Sequence, residues 1–408
     1  MSEIKQEPIL RVEHLCQYFP MKGGELKAVD DVSFEVMPGE VFGLVGESGC
    51  GKTTTGRSVI KLYDITSGDI YFKGKRIAAG VRSYKNAIKA AKAKLKADIA
   101  AAGDNPDKIA QLKADCAAYV AEQKALMKAA LHDHKHCDKM YAGEKAAEVE
   151  AKYAPLLAAA SGEELEALQK EYKEALRLAK HQKYVTGIQM IFQDPIASLD
   201  PRMTVYEIIA EGLRIRGVRD KQYIDERVYE VLEMVGLVRE HASRYPHEFS
   251  GGQRQRIGMA RAIIMNPDMI IADEPVSALD VSIQAQVINL LNDLRKKMGL
   301  TLLFIAHDLS VVKYFSDRIG VMYYGKMVEL ATADELFAHP LHPYTASLLS
   351  AIPLPDPHYE KQRKRFTYNP LAEHDYSVDK PTMREVSPGH FVLCNQEEFE
   401  KYQAKLAE

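Results

Sequence analysis

The run Gly-Glu-Ser-Gly-Cys-Gly-Lys-Thr, Gly46 to Thr53, has the spacing G-x-x-x-x-G-K-[ST] without a mismatch. Its glycines, Gly46, Gly49 and Gly51, allow backbone N–H groups to wrap phosphates where a helix begins, and the helix dipole there favours negative charge. Lys52 is placed to reach the β- and γ-phosphates of a nucleotide. Thr53 is placed to put its hydroxyl on Mg²⁺, and Thr54 lies within reach of a phosphate. Ser48 and Cys50 fill variable positions of the loop. A second piece of the same chemistry lies far downstream. "MIIADEP", Met269 to Pro275, ends an apolar run in two acids. Asp273 would sit near the Mg²⁺, and Glu274 would polarise a water attacking the γ-phosphate. A third stretch, "FSGGQRQR" from Phe249 to Arg256, offers Ser250, Gly251, Gly252 and Gln253. A hydroxyl, an amide and backbone unshielded by Cβ atoms make another anion cradle. One chain thus carries two.

The elements that position these residues are legible in outline. "VFGLV" reads as a strand entering the first cradle, and "KTTTGRSVIKL" as the helix leaving it. The segments "ILRVEHL", "VSFEV" and "DIYF", punctuated by "PGE", "SG" and "KG", read as further short strands. "MIIAD" and "TLLFIAH" are apolar strands each preceded by a helix, which predicts a parallel sheet in an α/β core. Residues 82–183 change character and are rich in Ala, Lys, Glu, Leu and Gln, the strong helix formers. Pro106 suits a first helical position, and Ser161 with Glu164 spells a capping box. These residues predict helices folded back as hairpins, as a coiled coil or a small bundle. Residues 336–408 read as a Pro- and charge-rich tail.

Bulk properties narrow the class. The chain has 408 residues, 46% hydrophobic and 27% charged, so it can build a sizeable core. A formal net charge of −3 leaves any nucleic-acid surface to a local patch. The five cysteines (Cys16, Cys50, Cys116, Cys137, Cys394) are odd in number and scattered, as in a reducing compartment. The N-terminus lacks an apolar core of signal-peptide type, and no apolar run is long enough to span a bilayer. Any membrane span must then come from another chain.

With these motifs in this order the sequence resembles the nucleotide-binding subunits of ABC transporters. "SGGQ" (Ser250 to Gln253) matches the family's signature motif, "IFQDP" holds its Q-loop glutamine Gln193, "SALD" (Ser277 to Asp280) its D-loop, and "IAHD" its switch histidine His307. Phe19 sits where the family stacks an aromatic ring on adenine, with Tyr18 the neighbouring candidate. The resemblance implies an α/β, ABC-type (RecA-like) ATPase with an antiparallel β subdomain and a helical subdomain. It implies ATP and Mg²⁺ as ligands, with Glu274, His307 and Gln193 catalytic and Thr53, Gln193 and Asp273 on the metal. It also implies that two subunits pack head to tail. Ser250, Gly251, Gly252, Gln253 and Asp280 would then serve a nucleotide held by the partner's loop.

Narrower likenesses, in "GLVGESGCGKTTTGRSVIKLYDITSGDIYFKGK", "QMIFQDPIASLDPRMTV" and residues 339–365, point to ATPases of the oligopeptide/dipeptide permease group, closest to its F-type subunit. This implies two transmembrane permease subunits, a second and non-identical ABC ATPase, an extracellular solute-binding protein acting indirectly, and a peripheral place on the cytoplasmic face of the membrane. The extension over 339–365 is not required by the ATPase chemistry itself. Many members of the group hold an iron–sulfur cluster there on four cysteines. Here only Cys394 stands beyond residue 137, so no such cluster is expected.

The expected organisation is an ATPase body over 1–80 and 184–335, with its helical subdomain over about 194–250. An all-helical insertion over 81–183 interrupts it, and a C-terminal extension spans 336–408. The competing function is a soluble ABC-type ATPase in nucleic-acid maintenance with a helical arm. The insertion precedes Gln193 rather than following it, and about fifty helical residues reach only about 75 Å, so no nucleic-acid partner is expected. In the insertion, Lys85, Lys89, Lys92 and Lys96 fall on one helical stripe, either a solvated face or an anion-facing one. His132, His136 and Cys137 are either metal ligands on one helix face or exposed polar residues.

Overall fold

The computed structural model describes residues 7–103, 105–277, 279–352 and 367–407. The basic run 361–366, most of the Pro-rich stretch before it, and Ala278 of the D-loop lie outside these residues.

Two sheets carry the fold. The first is antiparallel, in the order β2-β1-β4-β5, from β1 (Leu10–Met21), β2 (Gly24–Val36), β4 (Ser67–Phe72) and β5 (Lys75–Val81). Strands β1 and β4 alternate buried and open residues, as a sheet covered on one face requires. The second has eight strands. Its parallel part is β6 (Ile188–Ile191), β7 (Met269–Asp273), β8 (Thr301–Ala306), β3 (Val41–Val45) and β9 (Arg318–Tyr323). Strands β3, β7 and β8 are buried along their whole length, which explains their unbroken apolar sequences. Each fully buried Val, Leu or Ile contributes roughly 1.5–3 kcal/mol, so these strands anchor whatever their ends carry.

The sheet does not stop at β9. Strand β10 (Lys326–Thr332) pairs antiparallel with β9, β12 (His390–Cys394) with β10, and β11 (Thr382–Ser387) with β12. Residues beyond 336 that read as a charged tail therefore supply two strands that extend the sheet, β12 and the edge strand β11, and a C-terminal helix, Gln396–Ala407. Cys394 is wholly buried in β12, and burial pushes its thiol up to about 11.

A helical group sits on the β6 side: α6 (Val205–Ile215), α7 (Lys221–Met234) and α8 (Gly251–Ile263). Thr204 and Glu207 close a reciprocal cap at the start of α6. One hydrophobic cluster runs from these helices into the parallel sheet.

Between β5 and β6 the chain forms α2 (Arg82–Ala102), α3 (Pro106–Ala159) and α4 (Gly162–His181). Helix α3 has 54 residues and is roughly 80 Å long. Its two ends pair with α2 and α4, giving two hairpins that share one long helix rather than a closed bundle. The middle of α3 lies on β5: Cys137 is buried against the Ile77 carbonyl, and Asp133 pairs with Arg76 at 3.6 Å. Pro106 begins α3 beneath an Asn105 cap. The Ser161 box does not form: Ser161 makes no cap bond with its side chain, and the helix opens on Gly162 in the left-handed region at φ +61°. Among the described residues no helix is long and apolar enough to cross a membrane.

Candidate functional site

The phosphate loop runs from the end of β3 into α1 (Lys52–Val59). Its glycines are required by shape. A Cβ on Gly46 would lie 2.2 Å from the Met322 carbonyl oxygen, and one on Gly51 2.2 Å from that of Ala28. Lys52 is buried inside the loop, where its ammonium donates to the carbonyls of Gly46 (2.7 Å) and Glu47 (2.9 Å). Cys50 is more than filler. Its buried sulfur lies 3.7 Å from the Lys52 ammonium, and burial raises its thiol pKa despite that charge. Ser48 and Gly49 are exposed at the arch of the loop, and Thr54 is half-buried just inside α1.

Strand β7 delivers the acids. Asp273 is fully buried at the strand end, and its Oδ1 accepts from the Thr53 hydroxyl at 2.7 Å. Burial raises its pKa against the opposing pull of Thr53, Arg57 and Lys52. Its second oxygen, Oδ2, is buried and has no hydrogen-bond partner among the described residues. A carboxylate oxygen in that state fits a hard divalent cation, which takes oxygen ligands. Thr53 and Asp273 therefore suit Mg²⁺.

Glu274 follows with φ +43°, in the left-handed region, held by its amide on the Ile305 carbonyl at 2.9 Å. That conformation costs of order 1–3 kcal/mol for a residue with a Cβ. It turns the side chain toward two others. The Gln193 amide nitrogen donates to Glu274 Oε2 at 2.9 Å, and His307 Nδ1 lies 3.1 Å from the same oxygen. Gln193 comes from the end of β6 and His307 from the end of β8. The ends of three neighbouring strands thus meet at one carboxylate, while Oε1 of Glu274 has no partner among the described residues.

Other predicted residues stand apart. Ser250 caps α8: its hydroxyl accepts from the Gln253 amide, and the Gln253 side chain accepts from the Ser250 amide. Ser250 and Gly251 are exposed, and Gly252 packs on Ile283 so closely that a Cβ would lie 2.7 Å from it. Among the described residues no hydrogen bond joins this stretch to the phosphate loop. Asp280 is exposed at the start of α9 (Val281–Met298) and makes no cap bond with its side chain. Phe19 is half-buried, edge-on to Tyr63 at 5.3 Å. Tyr18 is engaged within its own sheet by Asp30. In the insertion, the His132 and His136 rings stack at 4.6 Å, and His136 Nδ1 turns to the His132 carbonyl. Cys137 is directed instead into the β5 contact. Among the described residues no cluster of three or more His, Cys, Asp or Glu could hold a metal.

Sequence reasoning missed two residues that touch the site. Arg261, on α8, lays its guanidinium over the Phe192 ring and donates to the Ser198 carbonyl, so it ties α8 to the segment that carries Gln193. Tyr344, in α12 (Pro343–Ser350), accepts a hydrogen bond from the Glu47 amide at 3.0 Å. A buried-type Arg with no acid nearby in sequence was the only signal for the first. There was none for the second.

A family profile described as "ABC transporter" matches residues 29–149 and 155–277. The chain belongs to the ABC transporter ATP-binding family. A second profile, "Oligopeptide/dipeptide transporter, C-terminal region", matches residues 328–377. The chain is similar to the oligopeptide transport ATP-binding protein OppF of Bacillus subtilis (strain 168), 46% identical over 397 residues, covering 97% of this chain and 99% of that one. It is also similar to the dipeptide transport ATP-binding protein DppF of Lactococcus lactis subsp. cremoris (strain MG1363), 43% identical over 384 residues, covering 93% and 92%. Among solved structures, cbiO1 from Clostridium perfringens, part of the ABC transporter complex cbiONQ, matches with TM-score 0.50 at 20% identity, over 82% of this chain and 92% of that one. The ADP conformation of MJ1267, an ATP-binding cassette of an ABC transporter, matches with TM-score 0.51 at 20% identity, over 85% and 100%. These structures support the α/β ATPase fold, and the family membership makes the chain an ATP-binding protein whose ATP hydrolysis is coupled to transport.

Proposed function

We propose that this chain hydrolyses MgATP to energise an importer of oligopeptides or dipeptides. The observation that carries the chemistry is the meeting of Gln193, His307 and Glu274 beside the Thr53–Asp273 pair. The solute class rests on the likeness to the peptide-transport ATP-binding proteins and on the match over residues 328–377.

The residue roles follow from geometry and charge. The loop amides from Gly49 to Thr54 and the Lys52 ammonium bind and orient the phosphates, the ammonium exchanging loop carbonyls for phosphate oxygens. Thr53, Asp273 and the Gln193 side-chain oxygen would hold Mg²⁺, which supplies neutralisation of phosphate charge. Glu274 orients the attacking water through Oε1, while Gln193 and His307 fix its other oxygen. Phe19 offers its ring to the adenine. Ser250, Gly251, Gly252, Gln253 and Asp280 close on the nucleotide of a second ABC subunit, a role that the exposure of Ser250, Gly251 and Asp280 supports. The working parts are an ATPase body over 1–80 and 184–335 with its helical subdomain near 194–250, the insertion over 81–183, and the extension over 336–408. The partners are two permease subunits, a second ABC ATPase and, indirectly, an extracellular solute-binding protein, with this chain peripheral on the cytoplasmic face.

Purification of the tagged chain from membranes in mild detergent tests the assembly. Two multi-spanning proteins and a second ABC ATPase should co-purify. Recovery of nucleic acid without membrane proteins would reject the importer in favour of a maintenance ATPase.

A further inference from the structure

We propose that the C-terminal extension is a working part of the nucleotide site: Tyr344 braces the phosphate loop and so sets its affinity for nucleotide. The inference deepens the ATPase reading and rests on it.

Glu47 is the second residue of the loop, and its amide donates to the Tyr344 hydroxyl at 3.0 Å. Elsewhere the loop is tied on the β9–β10 side, where the Gly325 amide donates to the Cys50 carbonyl and Gly46 lies against Met322, and at its helix end, where Gly51 lies against Ala28 and the Thr53 hydroxyl donates to Asp273. The arch between these points, Ser48 and Gly49, is exposed. Tyr344 therefore holds the limb that leads into the arch.

The brace is itself fixed. Tyr344 is 2% exposed, with its ring 4.3 Å from that of Tyr323 and 5.6 Å from that of Tyr368. His342 caps the start of α12 by accepting from the Tyr344 amide at 3.1 Å. The amides of Leu341 and His342 donate to the buried Glu329 carboxylate at 2.8 and 3.1 Å. His390 of β12 meets the same carboxylate at 2.8 Å. Glu329 belongs to β10, which pairs with β9, which pairs with β3, the strand that feeds the loop. The circuit is closed. The loop is gripped at its root by β3 and on its flank by a residue 297 positions later in the chain.

A phosphate cradle binds through amides that are already aimed. Losing one neutral hydrogen bond that aims them weakens binding by about 2- to 10-fold. Tyr344 is thus a positioning residue. It touches the loop and not the nucleotide. By linkage, nucleotide in the loop must in turn strengthen the attachment of α12.

The test is a titration of the full chain with 2′/3′-O-(N-methylanthraniloyl)-ATP and Mg²⁺, comparing wild type, Tyr344→Phe and Tyr368→Phe. Tyr368→Phe also deletes a hydroxyl from the aromatic group but none that bonds the loop. Tyr344→Phe should raise Kd about 2- to 10-fold, with Tyr368→Phe unchanged and both melting near wild type. Equal affinity of all three, or equal weakening in both variants, overturns the brace. In wild type without nucleotide, the Glu47 amide should exchange slowly with deuterium, and fast exchange overturns it independently of any variant. Failure of wild type to bind would instead overturn the nucleotide reading itself.

Discussion

At the residue scale the site depends on two adjacent acids that the backbone sends in different directions. Asp273 remains in line with β7 and faces Thr53, while the positive φ of Glu274 swings the next side chain toward Gln193 and His307. Glu274→Gln keeps the shape and removes the charge that orients water. Turnover should fall by about 10²- to 10⁴-fold, with ATP retained on the protein, as read by phosphate release and by nucleotide content after gel filtration. Asp273→Asn should act differently. It exchanges a buried oxygen suited to a cation for an amide, so the requirement for Mg²⁺ should rise at least tenfold while nucleotide binding without metal persists. Mg²⁺ titration of activity and of binding separates the two. Both acids were legible in the sequence because an apolar strand ending in Asp-Glu downstream of a phosphate loop is a local pattern. The geometry that divides their labour was not, because it is a backbone angle. Tyr344 was invisible for another reason: its partner is distant in sequence, and no periodicity signals a tyrosine that will meet an amide.

At the element scale the extension carries two buried histidines with opposite responses to acid. Burial holds His342 neutral, with its pKa lowered to about 3 from the ordinary 6.5. Burial also opposes the charge on His390, but the hydrogen bond and charge of Glu329, helped by Glu335, outweigh it and raise its pKa. The signs follow. Between about 3 and 6.5 the unfolded chain protonates His342 and the folded chain does not, so stability rises with pH. Above 6.5 the folded chain keeps the His390 proton longer than the unfolded one, so that contribution is lost as pH climbs through the raised value. The combined contribution of the two histidines, read by thermal unfolding, should therefore be greatest near pH 6.5. His342→Asn should flatten the acid limb, and His390→Gln the alkaline one. The sequence hid this element because "TMREVS" and "HFVLC" are short strands in a charged neighbourhood. They become strands by completing the edge of a sheet that the distant apolar segments have already built. The insertion was more legible, since Ala-rich helical sequence needs no partner to declare itself. What composition did not reveal was a single helix of 54 residues held at its middle by Arg76, Lys61 and Val185.

At the scale of the whole molecule the phosphate loop and the Ser250 cradle occupy separate places in one chain. In a head-to-tail pair each would complete the other's site. Ser250→Arg tests this, since it burdens an exposed position outside the chain's own loop. The isolated variant should bind ATP as wild type does, while its fold loses roughly 1 kcal/mol of stability with the helix cap. Turnover of the assembled transporter should fall more than tenfold, and a binding assay beside an ATPase assay in membranes would show it. Equal loss in both would place Ser250 in its own chain's site.

The order in which the strands are joined has a consequence for the newly made protein. Strand β3 leads into the phosphate loop by residue 45, but its neighbours in the sheet are β8 and β9, which begin at residues 301 and 318. During synthesis the loop must wait for its own floor, and then for Tyr344 to arrive at its flank. Pairing across so much intervening chain is slow to form. A half-made chain therefore holds the motif without the cradle. Release by the ribosome before β8 and β9 are made leaves a fragment that holds the phosphate-loop motif without the sheet that supports it.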